Sequence, residues 1–205
     1  MISRRTFVAV LGVALAGVRR EALADTTPDA PVKVIQSFYD VLLSTMKDGQ
    51  QLGFAGRRDK LTPTIRETFD FPLMTRLTVG PPWAGLSPEQ QQQILEAFSA
   101  FSIATYANRF DGFAGEHFEV EPTPTHLANG DVIVKSKLIP REGDDVELDY
   151  LMRQTGRDWH AIDVYLSGTV SELAVRRSEF SSVLRRDGAS ALVILLQRKV
   201  AELSG

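Results

Sequence analysis

No cysteine occurs in the 205 residues, which excludes a disulfide framework, a thiolate metal site and a cysteine nucleophile. Histidine is nearly as scarce. His117, His126 and His160 are the only three, none within five residues of another, so no compact histidine metal motif exists. There is no surplus of positive charge: 23 Lys and Arg stand against 26 Asp and Glu, a formal charge of −3. A general nucleic-acid binder needs a concentrated basic face and is disfavoured. The chain also has no G-x-G-x-x-G, P-loop, G-x-S-x-G or H-E-x-x-H motif. With 43% apolar residues it is neither disordered nor collagen-like, and its length suits one ordinary domain.

What is present begins with an export signal. Arg4-Arg5 supplies a charged start, Phe7 to Val18 is an apolar run, and Ala22-Leu23-Ala24 offers small-x-small cleavage before Asp25. Twelve apolar residues span only about 18 Å as a helix, too short for a membrane anchor. Ser3-Arg4-Arg5-Thr6-Phe7-Val8 fits the twin-arginine route, with the Sec route as the alternative. Residues 1–24 are therefore expected to be a cleavable signal peptide and 25–205 the working domain. That domain has 181 residues, with 19 basic and 25 acidic groups and a formal charge of −6.

Two periodicities divide the rest. Val32, Ile35, Phe38, Tyr39, Leu42, Leu43 and Met46 predict a helix over 29–46, ended by Gly49. Thr62-Pro63 and Asp70 before Phe71-Pro72 read as further helix starts. Ser87-Pro88-Glu89-Gln90 reads as a capping box opening a helix to about Phe110. After Gly112 the period becomes two, through strands around 117–120, 132–139, 146–153 and 159–166, joined by Gly-containing hairpin turns. Helices over Ser171–Arg186 and Ala189–Leu203 follow. The expected architecture is a single α+β domain: a curved antiparallel meander of about four strands packed against several helices, with an apolar pocket between the layers.

Candidate chemistry is sparse. Alternation places Asp145, Glu147 and Asp149 on one strand face, as a solvated face, a docking surface for a basic partner or an oxygen-only cation site. Asp163, between Ile162 and Val164, needs a partner if buried, and Arg176 or Arg177 is expected to form a structural ion pair with it. Tyr106, Tyr150 and Asp163 are alternatively an acid–base set of the ketosteroid-isomerase kind. The apolar surface offers more. One sheet face would present Val132, Val134, Leu138, Val146, Leu148, Tyr150 and Met152. Phe71, Leu73, Met74, Phe98, Phe101, Tyr106 and Phe110 would come from the helices above it. These are either ordinary core or the wall of a cleft for an apolar ligand.

Leu86-Ser87-Pro88-Glu89-Gln90, through Ala97-Phe98 to Thr105-Tyr106-Ala107, resembles the central helix of the MlaC, or toluene-tolerance, family. Trp159-His160-Ala161-Ile162-Asp163-Val164, Gly168, Val170-Ser171, Arg177-Ser178-Glu179-Phe180 and Gly188 resemble it in the same order. Phe69-Asp70-Phe71-Pro72, Val79-Gly80 with Trp83, and 171–180 are most similar to its hopanoid-biosynthesis-associated branch, HpnM. Thr169, inserted between Gly168 and Val170-Ser171, departs from MlaC itself. The resemblance implies a periplasmic lipid carrier, monomeric and without a cofactor. It would hold phospholipid or hopanoid in the cleft and serve an inner-membrane ABC lipid transporter and an outer-membrane lipid complex. A small enzyme acting on a polycyclic lipid and a non-lipid envelope interaction module are the other readings.

Overall fold

The structure, a computed structural model, describes residues 29–205. The expected signal and its cleavage residues Ala22, Ala24 and Asp25 lie outside the described residues. The helices are α1 (Ala30–Lys47), α2 (Gly49–Thr68), α3 (Phe71–Val79), α4 (Pro88–Arg109), α5 (Glu172–Asp187) and α6 (Ala189–Ser204), with a 3-10 turn at Pro81–Gly85. Two predicted starts are realised atom by atom. The Asp70 carboxylate accepts from Leu73 N–H at 2.9 Å. At Ser87 both bonds of the capping box form, to Gln90 at 3.2 Å and back at 2.9 Å.

The Thr62-Pro63 start does not occur. Helix α2 runs through Pro63, and Gly49 opens α2 rather than only closing α1. Pro63 and Asp59, whose carbonyl loses its helical donor, are both exposed, so water can replace the missing bond. The actual interruption is Gly53, at φ 60° and ψ 179°, a conformation open to glycine.

The sheet comprises β1 (His117–Val120), β2 (Thr125–His126), β3 (Val132–Val134), β4 (Ser136–Ile139), β5 (Val146–Thr155), β6 (Asp158–Leu166) and β7 (Val170–Ser171). Every pairing between these strands is antiparallel, and the four expected strands form the meander. The strand expected over 132–139 is broken at Lys135 into β3 and β4, which share one edge of β5 while β6 takes the other. Ser136 causes the break. Its hydroxyl donates to the Leu148 carbonyl, and its amide turns to the Asp149 carboxylate at 3.4 Å. A side chain thus replaces a ladder bond, which bends the strand.

Val132, Val134, Leu148, Tyr150, Met152 and Val164 are buried on the sheet face that the helices cover. Phe38 of α1 is the centre of this core, edge-to-face with Phe69 at 5.6 Å and Tyr106 at 5.4 Å. Burying each such aromatic contributes about 1.5–3 kcal/mol. The α2–α3 junction is pinned to the sheet where Asp70 N–H donates to the Ala161 carbonyl at 3.0 Å. That bond sets Phe69 and Phe71 over β6.

Candidate functional site

The apolar layers do not close completely. Between α3, α4, the first turn of α5 and the β5–β6 strands lies a cavity of about 100 Å³ that opens to solvent. Its floor is the sheet. Leu148 and Tyr150 on β5 pair with Leu166 and Val164 on β6, so all four side chains point the same way. Phe69, Phe71 and Met74 close one side. Along α4, Phe98, Ser102, Thr105, Tyr106 and Arg109 recur at helical spacing and form the opposite wall, completed by Phe110. Leu173, with Glu172 and Arg176, comes from α5.

Polarity is distributed unevenly. The sheet contributes aliphatic side chains and one buried phenol, whereas Ser102, Thr105, Arg109, Glu172 and Arg176 all come from the two helices. The Arg176 guanidinium donates to the Glu172 carboxylate at 3.0 Å and lies 4.7 Å over the Phe101 ring. Deeper in, the phenols of Tyr39 and Tyr106 flank that of Tyr150. The Tyr39 and Ser136 hydroxyls are 2.7 Å apart. Burial pushes the Tyr39 phenol up to about 12, and the Tyr106 and Tyr150 phenols are driven up by the same cause. All three are neutral hydrogen-bonding groups at physiological pH. None is a ready base.

Of the residues expected at the cleft, Phe71, Met74, Phe98, Tyr106, Phe110, Leu148 and Tyr150 line the cavity. The others lie elsewhere. Val132, Val134 and Met152 are wholly buried core. Phe101 is buried under the cations of Arg176 and Lys199. Leu73 and Leu138 are half-buried outside the lining, and Val146 is exposed. Strand alternation assigns a face but not a position along it, and the cavity occupies only the part beneath α3 and α5. Val164 and Leu166 were missed although the alternation of β6 carries them. Ser102 and Arg109 join the lining as well, because helical spacing from Phe98 reaches both although neither is apolar.

Asp163 is not held by the expected ion pair. Its partner in β5 is Leu151, so it faces away from Tyr150, whose partner is Val164. Its carboxylate accepts from Ser171 Oγ at 2.5 Å, Val164 N–H at 2.8 Å and Leu173 N–H at 3.2 Å. Arg176 pairs with Glu172 instead, and the guanidinium of the exposed Arg177 lies against Gly80. The Val164 amide of β6, with the Ser171 hydroxyl and Leu173 amide at the start of α5, takes the place of the arginine expected there. Tyr106, Tyr150 and Asp163 are therefore not assembled as an acid–base set.

Asp145, Glu147 and Asp149 share an open groove on the outer sheet face, where Lys135 and Lys137 of the adjoining strand segment interleave with them. Lys137 is directly opposite Glu147. Among the described residues no cluster of three or more His, Asp or Glu is arranged to hold a metal ion. No described helix is long and apolar enough to cross a membrane.

A family model described as "MlaC protein" matches residues 36–198. The solved structure of a phospholipid-binding protein from Ralstonia solanacearum, in complex with a phospholipid, is similar to this chain at 26% identity and a TM-score of 0.74. The likeness covers 86% of this chain and 99% of that one. No curated protein sequence matches.

Proposed function

The chain belongs to the MlaC family, and on that premise we propose that it is a periplasmic carrier that binds a phospholipid or hopanoid and moves it between the inner and outer membranes. The observation that carries this reading is the apolar cavity between sheet and helices, with its charged groups confined to the helical side. An acyl chain crossing water unshielded costs about 0.8 kcal/mol per methylene. A carrier must hide the chain and leave the headgroup wet. The phospholipid bound to the Ralstonia protein supports the same ligand class here.

The finer reading places the chain in the hopanoid-associated HpnM branch, with export directed by residues 1–24 and residues 25–205 acting as a monomeric lipid-binding domain. Its partners would be an inner-membrane ABC lipid transporter and an outer-membrane lipid complex. A binding role fits better than an enzymatic one, because Asp163 is turned away from the tyrosines and Glu172, the carboxylate in the cavity lining, is held by Arg176. The test is native mass spectrometry with lipid extraction on protein taken from its own cell envelope. One lipid per chain is expected, and its identity separates phospholipid from hopanoid. Protein that is repeatedly lipid-free and takes up none from vesicles overturns the proposal. Fusing residues 1–30 to a reporter that requires folded export tests the twin-arginine route.

A further inference from the structure

A second opening is separated from the apolar cavity by aromatic rings. Phe38 lines it and packs edge-to-face on Phe69 and Tyr106, which line the cavity. It is a groove of about 470 Å³ between the start of α1, the end of α2 and the start of β6. Small-molecule clefts span about 300–1,000 Å³. Polar groups without partners converge on it. Helix hydroxyls elsewhere turn back onto their own carbonyls, as those of Thr62, Thr75 and Thr78 do at 2.7 Å. Thr64 and Thr68 line the groove and form no such bond among the described residues. Thr68 is 3% exposed and its hydroxyl is not sealed, so that exposure opens it to the groove. Among the described residues, the buried side-chain nitrogen or oxygen left without a hydrogen bond is His160 Nδ1, and His160 lines the same groove. The exposed Glu67 carboxylate, also in the lining, has no ion pair or hydrogen bond among the described residues. The half-buried Trp159 supplies an indole.

Lys33 and Arg157 stand against Glu67 and Asp158 in this lining, so its charges balance, and Lys33 is held by Asp29 at 3.0 Å. A simple ion finds no net attraction there. A wholly apolar ligand would cover the hydroxyls without satisfying them. A pyranose ring meets both demands. Its C–H face packs on an indole, and its rim of hydroxyls exchanges hydrogen bonds with threonine hydroxyls and a carboxylate. We infer that the groove is a binding site for an uncharged saccharide chain, with Trp159 as the stacking face and Glu67, Thr64 and Thr68 as the hydrogen-bonding wall. His160 lies beneath as a further hydrogen-bonding group. Such a site holds the protein on a glycan without occupying the lipid cavity.

Trp83 and Trp159 are the two tryptophans, so in a Trp83→Phe background the fluorescence of Trp159 reports on the groove. Titration with the tetrasaccharide of N-acetylglucosamine should change that emission saturably, with a dissociation constant of about 1 mM. Calorimetry on the unaltered chain should give the same constant. Thr68→Val should weaken binding about fivefold and Glu67→Gln about tenfold. Both variants should keep the wild-type melting temperature and lipid loading, because neither side chain forms a hydrogen bond among the described residues. The deacetylated, cationic tetrasaccharide should bind within about twofold of the neutral one at physiological salt, because the charges of the lining balance. A preference for it above about tenfold would make the groove a cation site and overturn the inference. Absence of saturation up to about 20 mM overturns it too, as do variants that bind like wild type. Lipid extraction is read separately, so failure here leaves the carrier reading in place.

Discussion

Ser171 donates its hydroxyl to the carboxylate of Asp163 at 2.5 Å, closing β6 onto the start of α5 from behind the cavity wall. The same carboxylate holds the amides of Val164 and Leu173, and both of those side chains line the cavity. A residue facing away from the ligand space thus fixes two of the residues that shape it.

Asp163→Ala should destabilise the protein by about 1–3 kcal/mol, because it strands two buried amides, and should lower lipid loading as well. Asp163→Asn retains an acceptor and should cost less. Chemical denaturation with fluorescence or circular dichroism measures both. Exchanging Asp163 with Arg176 should not restore folding, since the two do not pair; rescue by that swap would contradict the arrangement.

Two carboxylates should respond oppositely to acid. Asp131 receives two hydrogen bonds from Arg153, at 2.7 and 2.6 Å, which hold its carboxyl below the ordinary range. It contributes stability that is present above the unfolded carboxylate range, near pH 4, and is lost as pH falls through its lower folded value. Burial raises Asp163, so the native state binds its proton more readily, and stability falls as pH rises from the unfolded value through the folded one. Denaturation between pH 3 and 7 should show Asp131→Asn most costly at the neutral end and converging on wild type in acid. The cost of Asp163→Asn should accordingly be smaller at pH 7 than near pH 4. A constant Asp131→Asn cost across that range would contradict the ion pair's role.

The alkaline limb belongs to the phenols. Tyr39, raised to about 12, keeps its proton in the native state above the ordinary phenol value near 10. Stability should therefore hold to about pH 9 and fall as pH rises from 10 towards 12, where the unfolded chain ionises and the native one does not. Tyr39→Phe should flatten that limb. Titration of three of the four tyrosines near pH 10, with unchanged circular dichroism, would refute the burial.

Substitutions on one sheet face should separate cavity from core. Leu148 lines the cavity, so Leu148→Glu should leave a folded protein with lipid loading reduced severalfold or lost. Val134 is fully buried outside the lining, and Val134→Glu should cost several kcal/mol and unfold the domain. Melting curves beside lipid extraction distinguish the two results. A folded Val134→Glu with empty lipid, or a Leu148→Glu that loads normally, would place the cavity elsewhere.

Arg57 is a buried cation with carbonyl partners, donating to Ala107 at 2.7 Å and Gly49 at 2.8 Å. It ties α2 to the end of α4, the segment bearing Tyr106, Arg109 and Phe110. Arg57→Met should cost about 2–3 kcal/mol, from lost charged hydrogen bonds and stranded carbonyls. It should also raise hydrogen exchange in residues 106–112. An unchanged melting temperature would dismiss the role.

The sequence by itself determined the order of elements, the strand faces and several helix starts, because these depend on local chemistry: the cap at Asp70, the reciprocal bonds of Ser87 and Gln90, and alternation along β5. It also carried the family resemblance, spread over short blocks whose order needs no contact to be read. It misplaced the α2 break, since whether Pro63 is tolerated depends on exposure rather than on residue type. Only the tertiary structure decided which part of the apolar surface stays unfilled, because that depends on where α3 and α5 cross the sheet. It also decided that Asp163 meets amides and a hydroxyl rather than an arginine, and that Arg109 and Glu172, sixty-three residues apart in the chain, line one cavity. Spacing records the side of an element on which a group lies. Long-range packing decides what that group meets there.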